Sequence, residues 1–469
     1  MTRVSEWWRH SAEQLAGSSA SAVEILDSHL GRIAQVDPHL NAMSVVLAAP
    51  AHAEAAARDG VRASGEPVGP LHGVPVVIKE EIDVAGCLTT FGGRGNEHPV
   101  TADAEVVRRL REAGAVIVGK TTMPEFGAFP YTESDAFGVT RNPWHPGHTP
   151  GGSSGGTAVA VATGMAAVGM GGDGGGSIRI PAACVGLFGL KPQRGRVTTA
   201  PHEHLWWALG TAGPLSRTVR DSALVYDVIR GNVGTDLFRA GETGSFLAAT
   251  ERAPGRLRIG WSARPASPGI RPDPVHVTAL EETARLLADL GHDVREVNPR
   301  YPESTAAFVP QFFAGIRTEA DAVDHVERLE RRTRETVRLG AWVSPAVIDR
   351  AVAASLKLTV RANRVFDDVD VLMTPTMAHR PPRVGLLGGA GTVRSMLAAL
   401  PAIAYTALWN VAGNPAASVP CGLGPDGLPT AVQLVGRTDD EPTLLSLAAQ
   451  LEQARPWPLF PATREVLLG

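Results

Sequence analysis

The amino-acid sequence predicts an α/β protein in which helices cover a largely parallel β-sheet. Apolar runs and amphipathic stretches follow one another in the order β, α, β over residues 74–118, and the same order returns over residues 257–297. Such units place parallel strands side by side with helices on the faces of the sheet. The length of 469 residues fits about three ordinary domains or one large α/β domain. A composition of 44% hydrophobic and 20% charged residues supports a sizeable core.

The N-terminal part of the chain predicts two helices. The first covers residues 21–36, because Ser21 and Glu24 form a capping box ahead of an apolar stripe that includes Leu26. The second, over residues 48–58, consists mainly of small side chains.

The next segment predicts the first parallel strands. The apolar run at 74–78 is typical of a buried strand, and Lys79 stands at its end. Residues 103–113 predict a helix that Gly114 ends, and residues 115–118 predict the following strand.

The rest of the chain continues the alternation without an internal repeat or a long linker. Asp273 and Pro274 provide the N-cap and first position of a helix that ends at Gly291. The remaining predicted elements are helices at 158–165 and 444–451, a helical Arg-rich region at 319–367, and strands at 257–261, 294–297, 369–373 and 430–435.

Composition excludes several classes of function. A formal net charge of −4 argues against broad nucleic-acid binding, which needs a basic face. Three cysteines far apart in sequence make a disulfide framework or a cysteine-rich zinc site a poor interpretation. No targeting or membrane-spanning segment stands out, so we expect a cytoplasmic protein without nucleic-acid or membrane partners.

Two glycine-rich segments, residues 149–156 and 171–179, each hold a serine among glycines. Glycine leaves backbone N–H groups uncovered, and a run of them forms a nest for a phosphate or an oxyanion. Neither segment has the lysine that a GxxxxGK[ST] phosphate loop requires. An oxyanion site needs a nucleophile beside the nest, and Ser177 is there. A single glycine-rich segment of this kind is most simply interpreted as a tight turn. The presence of two such segments weakens that interpretation.

A serine nucleophile needs a base to take its proton. The chain has fourteen histidines but no SxxK pair. Lys79 ends an apolar run that would not normally accept a charge, which makes its amine a candidate base. The alternative is a strand-end lysine that extends to solvent.

Seven motifs stand out along the chain. They are Gly-Pro-Leu-His-Gly-Val-Pro-Val-Val-Ile-Lys (69–79), Gly-Lys-Thr-Thr-Met-Pro-Glu-Phe (119–126), Thr-Pro-Gly-Gly-Ser-Ser-Gly-Gly (149–156), Gly-Asp-Gly-Gly-Gly-Ser-Ile-Arg-Ile-Pro (172–181), Gly-Leu-Lys-Pro (189–192), Gly-Pro-Leu-Ser-Arg-Thr-Val-Arg-Asp (213–221) and Val-Gln-Leu-Val-Gly (432–436). Together they resemble the motifs of the amidase signature family of serine hydrolases, and the resemblance covers residues 20–460. It implies an N-terminal helical segment (1–65) packed on one large α/β domain (66–469), whose central mixed, mostly parallel, twisted sheet is covered by helices on both faces.

The resemblance also implies a Ser–cisSer–Lys triad. Ser177 would be the nucleophile, Ser153 the bridging serine and Lys79 the base, with a cis peptide bond between Gly152 and Ser153. The implied oxyanion hole consists of backbone N–H groups, those of Gly174, Gly175, Gly176 and Ser177. The residues expected beside the triad are Ser154, Arg179 and Asp173, the last holding the glycine loop. No cofactor or metal is implied.

The residues after Lys79 depart from the family pattern. Many relatives have Asp-Asn there, whereas this chain has Glu80 and Glu81. Lys79 must be uncharged to accept a proton; desolvation favours that form and a nearby carboxylate opposes it. Since side chains alternate along a strand, we expect Glu80 to point to the opposite face. Gly174 replaces the branched residue of many relatives and is expected to loosen the nest or widen access.

Two segments are candidates for the substrate pocket, each with core packing as the alternative. The first holds Phe126, Gly127, Ala128 and Phe129, and the second holds Trp206 and Trp207. Residues 308–313 and 386–397 are further candidate walls. His202 and His204 lack a third ligand in sequence, so we expect no metal.

The implied function is a stand-alone hydrolase of C–N amide bonds that forms an acyl-enzyme, with aryl acylamides, esters and carbamates (urethanes) as candidate substrates. One alternative is a glutamine amidotransferase subunit that delivers ammonia to a partner chain. Such subunits are expected to carry a Tyr-Asp-Gly-Val-Arg-Tyr-like segment, which this chain lacks. A non-catalytic binding module would require a broken triad. We expect a small-molecule substrate and a monomer or homodimer.

Overall fold

The computed structural model describes residues 6–461 and has α/β architecture. An eleven-stranded mixed sheet runs through the described part, helices cover both of its faces, and a separate two-stranded ribbon lies outside it. The predicted fold class is thereby confirmed.

The strands in chain order are β1 (Met43–Val46), β2 (Pro75–Lys79), β3 (Val116–Thr121), β4 (Glu133–Ser134), β5 (Gly138–Val139), β6 (Val168–Gly172), β7 (Phe188–Lys191), β8 (Ala212–Ser216), β9 (Arg258–Trp261), β10 (Asp293–Glu296), β11 (Val371–Pro375), β12 (Ala416–Leu423) and β13 (Pro429–Val435).

The α-helices are α1 (Ala12–Ala16), α2 (Ala22–Leu40), α3 (Ala48–Ala63), α4 (Glu105–Glu112), α5 (Gly155–Ala162), α6 (Arg179–Val185), α7 (Val219–Ile229), α8 (Phe246–Thr250), α9 (Pro274–Asp289), α10 (Thr305–Ala322), α11 (Arg331–Leu339), α12 (Pro345–Ala362), α13 (Thr392–Ile403), α14 (Ala407–Ala412) and α15 (Glu441–Ala454). Short 3-10 helices cover Trp7–Arg9, Glu125–Gly127, Val326–Arg328, Gly340–Trp342 and Asn363–Asp367.

The balance of strand directions differs from the prediction of a mostly parallel sheet. The strand order is β1-β3-β2-β6-β8-β7-β12-β13-β11-β9-β10. Of the ten neighbouring pairs in this sheet, as far as residues 6–461 show, four are parallel and six antiparallel. The parallel pairs lie towards the two ends, where helices connect the strands. The central strands β6, β7, β8 and β12 were not predicted. Strands β6, β7 and β8 are only four or five residues long, and β6 is also glycine-rich.

Two predicted helical regions have different limits in the structure. The region at 319–367 is divided among α10, α11 and α12, and α10 begins upstream at Thr305. Helix α5 covers Gly155–Ala162, so it begins and ends three residues before the helix predicted over 158–165. A Cβ at Gly155 would lie 2.1 Å from Thr132 Oγ1, and one at Gly156 would lie 2.4 Å from Thr122 Oγ1. These glycines therefore serve close packing at the start of a helix.

Three parallel strands place the candidate residues at one edge of the sheet. Strands β2, β3 and β6 are neighbours and run in the same direction. Their carboxyl ends therefore meet at one edge, which is where α/β folds bind ligands. Lys79 ends β2 and Gly172 ends β6, immediately before the second glycine-rich segment.

The alternation along β2 directs its side chains to two separate cores. Val76 and Ile78 belong to the larger cluster, on the side of α7 and α15. Val77 belongs to the cluster that includes α2 and α5. Because side chains alternate, Lys79 shares the α5 face with Val77, and residues 153 and 154 immediately precede that helix.

The N-terminal segment contributes to the sheet as well as covering it. Strand β1 pairs antiparallel with β3 at the sheet edge, and α2 packs Leu26 and Val36 into the core. The division at residue 65 remains a prediction. Within residues 6–461, no helix is both long and apolar enough to cross a bilayer.

Candidate active site

The Lys79 amine is buried between a hydroxyl and a carboxylate. The side chain is 1% exposed, and Nζ donates to Ser153 Oγ at 2.8 Å and to Glu81 Oε1 at 2.9 Å. The alternative of a lysine extending to solvent is therefore wrong. An amine held against a hydroxyl in a buried site is placed to exchange a proton with it.

The two glutamates after Lys79 lie on different sides of the strand. Glu80 contacts Ser44, accepts from the N–H of Thr90 at 3.1 Å and lies 3.5 Å from Lys120 Nζ. The prediction for Glu80 is thereby confirmed. Glu81 follows the end of β2 and turns back to Lys79. Of these two glutamates, only Glu81 places a negative charge beside the Lys79 amine.

The first glycine-rich segment holds Ser153 and Ser154 ahead of α5. The Gly152–Ser153 peptide bond is cis, as predicted. Ser154 is fully buried; its hydroxyl donates to the carbonyl of Gly172 at 3.3 Å, and its N–H donates to the carbonyl of Ser177 at 3.3 Å. The backbone of one glycine-rich segment is thereby joined to the other.

A buried ion pair holds the second glycine-rich segment. Asp173 and Arg179 are both completely buried and form hydrogen bonds of 2.9 and 3.0 Å. Burial alone would raise the pKa of Asp173, but Arg179 and Asn410 outweigh that effect and hold it at about 2. Arg179 also donates to Asn410 Oδ1 at 2.6 Å and to Gln433 Oε1 at 2.7 Å. The carboxylate is therefore a charged acceptor around which the loop folds.

The predicted oxyanion hole needs one correction. The N–H of Gly176 donates to Asp173 Oδ1 at 2.7 Å, so this amide belongs to the loop's internal hydrogen bonding. Within residues 6–461, the N–H groups of Gly174, Gly175 and Ser177 have no acceptor in hydrogen-bond range. All three residues are partly exposed, whereas Gly176 is buried. These three amides are the ones available to an oxyanion.

Ser177 lines the same small cavity as Lys79 and Ser153. This cavity measures about 20 Å³, and its walls include Glu81 and Asp173. In the described part of the chain, the hydroxyl of Ser177 makes no hydrogen bond to that of Ser153. Catalytic hydrogen bonds are often long before substrate binds and tighten in the complex.

A larger apolar cavity adjoins Ser177. It measures about 270 Å³. Its lining residues carry no charge and come from four parts of the fold: Gly127, Ala128, Phe129 and Pro130; Gly175, Ser177, Ile180 and Trp206; Ser267, Ser304, Thr305, Phe308, Val309 and Phe312; and Met396, Leu397, Ala399, Leu400, Ile403 and Ala407. Such a cavity suits an apolar, uncharged group attached to a carbonyl that lies at Ser177.

The predicted pocket residues divide into lining and core positions. Gly127, Ala128, Phe129 and Trp206 line the cavity. A Cβ at Gly127 would lie 3.0 Å from Ser153 Oγ, so glycine keeps the space beside the hydroxyl open.

Phe126 and Trp207 were predicted to line the pocket, but their side chains pack elsewhere. Phe126 is 1% exposed and packs edge-on against Phe91. Trp207 stacks on His204 with ring centres 4.3 Å apart. Phe126 is part of a buried cluster with Phe313 and Ile316, and the partly buried Trp207 packs against the same cluster. Neither residue is among those that line the cavity at Ser177.

Trp206 fills the space that Gly174 leaves. A Cβ at Gly174 would lie 3.1 Å from Trp206 Cε3, so the glycine admits the indole ring and does not widen access. The indole N–H donates to Glu319 Oε1 at 2.7 Å. Trp206 also has a φ of 49°, which is unusual for a bulky residue and marks a position that its surroundings enforce.

The residues that sequence reasoning missed come from the far end of the chain. Asn410 and Gln433 complete the network around Asp173 and Arg179, and Glu319 anchors Trp206. Gln433 stands in one of the quoted motifs, which was the one available signal. Within residues 6–461, no group of three or more His, Cys, Asp or Glu side chains is arranged to hold a metal.

Comparisons with known proteins extend over most of the chain. A sequence profile of the family described as Amidase matches residues 24–445. The Mycobacterium tuberculosis protein named "Putative amidase AmiB2" is 48% identical over 448 residues, covering 95% of each chain. The structure of 6-aminohexanoate cyclic dimer hydrolase complexed with substrate superposes with a TM-score of 0.90 at 31% identity, covering 98% of this chain and 100% of that one. A bacterial aryl acylamidase of the amidase signature family superposes with a TM-score of 0.86 at 27% identity, covering 97% of each.

Proposed function

The chain belongs to the amidase signature family of hydrolases, and from that premise we propose that it is a stand-alone amide hydrolase in which Ser177, Ser153 and Lys79 form the catalytic triad. The observation that carries the proposal is the 2.8 Å contact between Lys79 Nζ and Ser153 Oγ, beside a cavity that Ser177 also lines. A binding module would not need a buried amine in contact with a hydroxyl at the end of an apolar cavity.

In the proposed reaction the neutral Lys79 amine takes the proton of the Ser153 hydroxyl, and Ser153 takes that of Ser177. The Ser177 oxygen attacks the substrate carbonyl carbon and forms a tetrahedral oxyanion. The three available amides, of Gly174, Gly175 and Ser177, donate to that oxyanion, and each such donor contributes about 10²–10³ in rate.

Collapse of the tetrahedral species breaks the C–N bond, and the proton held by Lys79 passes through Ser153 to the leaving nitrogen. The acyl group remains on Ser177. Water, deprotonated by the same pair, then releases the acid and restores the Ser177 hydroxyl. Esters and carbamates present the same carbonyl, so the scheme extends to both.

The apolar cavity indicates the substrate class. With no charged side chain on its wall, it favours aryl or aliphatic acyl groups without charge. The similarity to an aryl acylamidase supports aryl amides as first substrates.

The alternative, an amidotransferase subunit that uses glutamine, is less well supported. Glutamine carries an ammonium and a carboxylate, and binding them calls for charged or strongly polar partners. The polar side-chain groups described around the larger cavity are the hydroxyls of Ser177, Ser267, Ser304 and Thr305 and the indole N–H of Trp206, which donates to Glu319.

The test is hydrolysis by the purified chain alone. A panel of aryl amides, short aliphatic amides, peptide amides, esters and carbamates is assayed without ATP or a partner protein, with Ser177→Ala as the control. We expect acid and amine from an aryl amide, a mass increase of one acyl group on Ser177, and no turnover by the variant. Turnover that persists in Ser177→Ala, or that requires a partner chain and glutamine, contradicts the proposal.

A further inference from the structure

The Lys79 amine has two partners with opposite consequences for its charge. The Ser153 hydroxyl at 2.8 Å can give it a proton, whereas the Glu81 carboxylate at 2.9 Å stabilises it as an ammonium. An ammonium cannot accept the proton that the proposed reaction delivers. The contact with Glu81 therefore bears directly on whether the base is ready to act.

The pair is shielded from water. The side chain of Lys79 is 1% exposed and that of Glu81 is 12% exposed. An opposite charge within about 4–6 Å favours the charged form of a group, and low exposure reduces the screening that would weaken the effect.

Other charged groups near the pair are accounted for. Glu80 is turned away to Ser44, Thr90 and Lys120. Asp173 lines the same small cavity but is paired with Arg179.

Glu319 of α10 interacts electrostatically with both Glu81 and Lys79. Burial raises the pKa of Glu319 well above its ordinary value, which favours its uncharged form. Glu81 is thus the carboxylate whose charge acts on Lys79 at short range.

We propose that Glu81 sets the pH range of the enzyme by holding Lys79 as an ammonium, so that the resting site must lose a proton to solvent before Lys79 can act. This inference rests on the proposed role of Lys79 as the base. Glu81 is a positioning residue in this scheme: it touches Lys79 and not the reacting carbonyl.

The location of Glu81 gives that proton a route out. Glu81 also lines a second cavity of about 50 Å³. The walls of this second cavity include Asp83, Thr198 and His202 among mostly apolar residues. The carboxylate thus borders both the small catalytic cavity and this second cavity, and none of the residues described around the second cavity lines the larger apolar one.

The first test is the pH dependence of kcat/KM in Glu81→Gln. Loss of the carboxylate moves the acid limb of the profile to lower pH by about 1–3 units. At a pH below both limbs the variant is then about 10- to 1000-fold faster than the natural enzyme, while the plateau at high pH is unchanged. Glu81→Asp keeps the charge and leaves the limb nearer to its original position, whereas a merely structural role would impair both variants alike.

Glu80→Gln is the matched control, since it removes a neighbouring carboxylate that does not contact Lys79. Its acid limb stays in place, and thermal unfolding of each variant shows that the fold is intact. An acid limb that does not move in Glu81→Gln, or that moves to higher pH, overturns the inference. Loss of activity at every pH in a folded Glu81→Gln variant also overturns the inference. Glu81 would then be needed for the reaction itself and would not act by holding Lys79 in its charged form.

A second readout needs no turnover. The rate at which an organofluorophosphonate labels Ser177 is followed against pH in the natural enzyme and in Glu81→Gln. A limb that moves to lower pH in the variant supports the inference. If the acid limb of the labelling rate lies at the same pH in the natural enzyme and in Glu81→Gln, the inference is overturned and the proposed function stands. No labelling of Ser177 at any pH contradicts the proposed function, and the role of Glu81 falls with it.

Discussion

Lys79 shows how one residue acquires its chemistry from its surroundings. Its side chain is long enough to reach solvent, yet it lies 1% exposed with its amine against Ser153. Burial disfavours a charged amine, and the Glu81 carboxylate favours one. The proposed role of Lys79 as the base therefore depends on the balance between its burial and its contact with Glu81.

At the residue scale, Lys79→Ala is expected to lower kcat/KM at pH 7 by about 10²–10⁴, the usual contribution of a general base. Activity should recover in part at high pH, where hydroxide can take the proton. The measurement is a pH–rate profile for an aryl amide, with thermal unfolding as the control for folding. A profile identical to that of the natural enzyme would remove Lys79 from the reaction.

At the element scale, the turn between β6 and α6 depends on one ion pair. Asp173 accepts hydrogen bonds from the N–H of Gly176 and of Ile178, and Arg179 compensates its charge. The turn that carries Ser177 is thus shaped around a buried carboxylate. Asp173 therefore holds one side of the loop, whereas the N–H groups of Gly174, Gly175 and Ser177, which have no acceptor within residues 6–461, lie on the side proposed to bind the oxyanion.

Arg179→Met is expected to destabilise the fold by about 3–5 kcal/mol, since it leaves Asp173 buried without its partner. Denaturant unfolding measures the loss, and kcat should fall because the turn is no longer held. The double variant Asp173→Asn with Arg179→Met should regain part of the stability. A single variant as stable as the natural chain would show that the pair does not hold the turn.

A second element, the 3-10 helix Glu125–Gly127, carries a carboxyl that its fold leaves largely uncharged. Glu125 Oε2 accepts the N–H of Glu330 at 2.9 Å, and burial raises the pKa of Glu125 from 4.5 to about 7. The folded state then binds a proton more tightly than the unfolded state. The contribution of this carboxyl to stability is therefore fully present below about pH 4.5 and is lost as the pH rises to about 7.

Glu125→Gln is expected to remove that pH dependence, which amounts to about 3 kcal/mol between pH 4.5 and 7. The free energy of unfolding in urea at pH 5 and pH 8 measures it. Between pH 5 and pH 8 the natural chain loses the contribution of Glu125 and the variant does not, so the free energy of unfolding at pH 8, relative to that at pH 5, should be lower in the natural chain than in the variant. An unchanged difference would place the titration elsewhere.

At the scale of the whole molecule, the apolar cavity is assembled from distant segments. Its walls include Phe129 after β3, Gly175 after β6, Phe308 on α10 and Met396 on α13. None of these segments forms a pocket by itself. Substrate selection by the proposed site would therefore depend on how α10 and α13 are placed beside Ser177.

Phe308→Ala should lower kcat/KM for a small aryl amide by about 10- to 200-fold, because apolar contact with the acyl group is lost. Substrates with bulkier acyl groups should be affected less, since the enlarged cavity accepts them. Val393→Ala, on the exposed face of α13, is the control. Equal losses for small and bulky substrates would mean that Phe308 does not line the acyl site.

Local patterns in the sequence determined much of the architecture. Capping residues and apolar periodicity located α2, α9 and β2, because those signals depend on neighbours within one or two turns. The motifs located Lys79, Ser153 and Ser177, and the cis peptide bond before Ser153 follows from the resemblance that they carry. Each of these features could be predicted from residues that lie close together in the sequence.

Only the tertiary structure decided which groups meet. The directions of the central strands, the donation of the Gly176 N–H to Asp173, and the displacement of Phe126 and Trp207 from the cavity wall depend on packing between separate segments. The contact of Glu81 with Lys79 is the sharpest case. Glu80 and Glu81 are adjacent and look alike in sequence. Because β2 ends between the sheet and a turn, Glu81 contacts Lys79, whereas Glu80 lies beside Lys120.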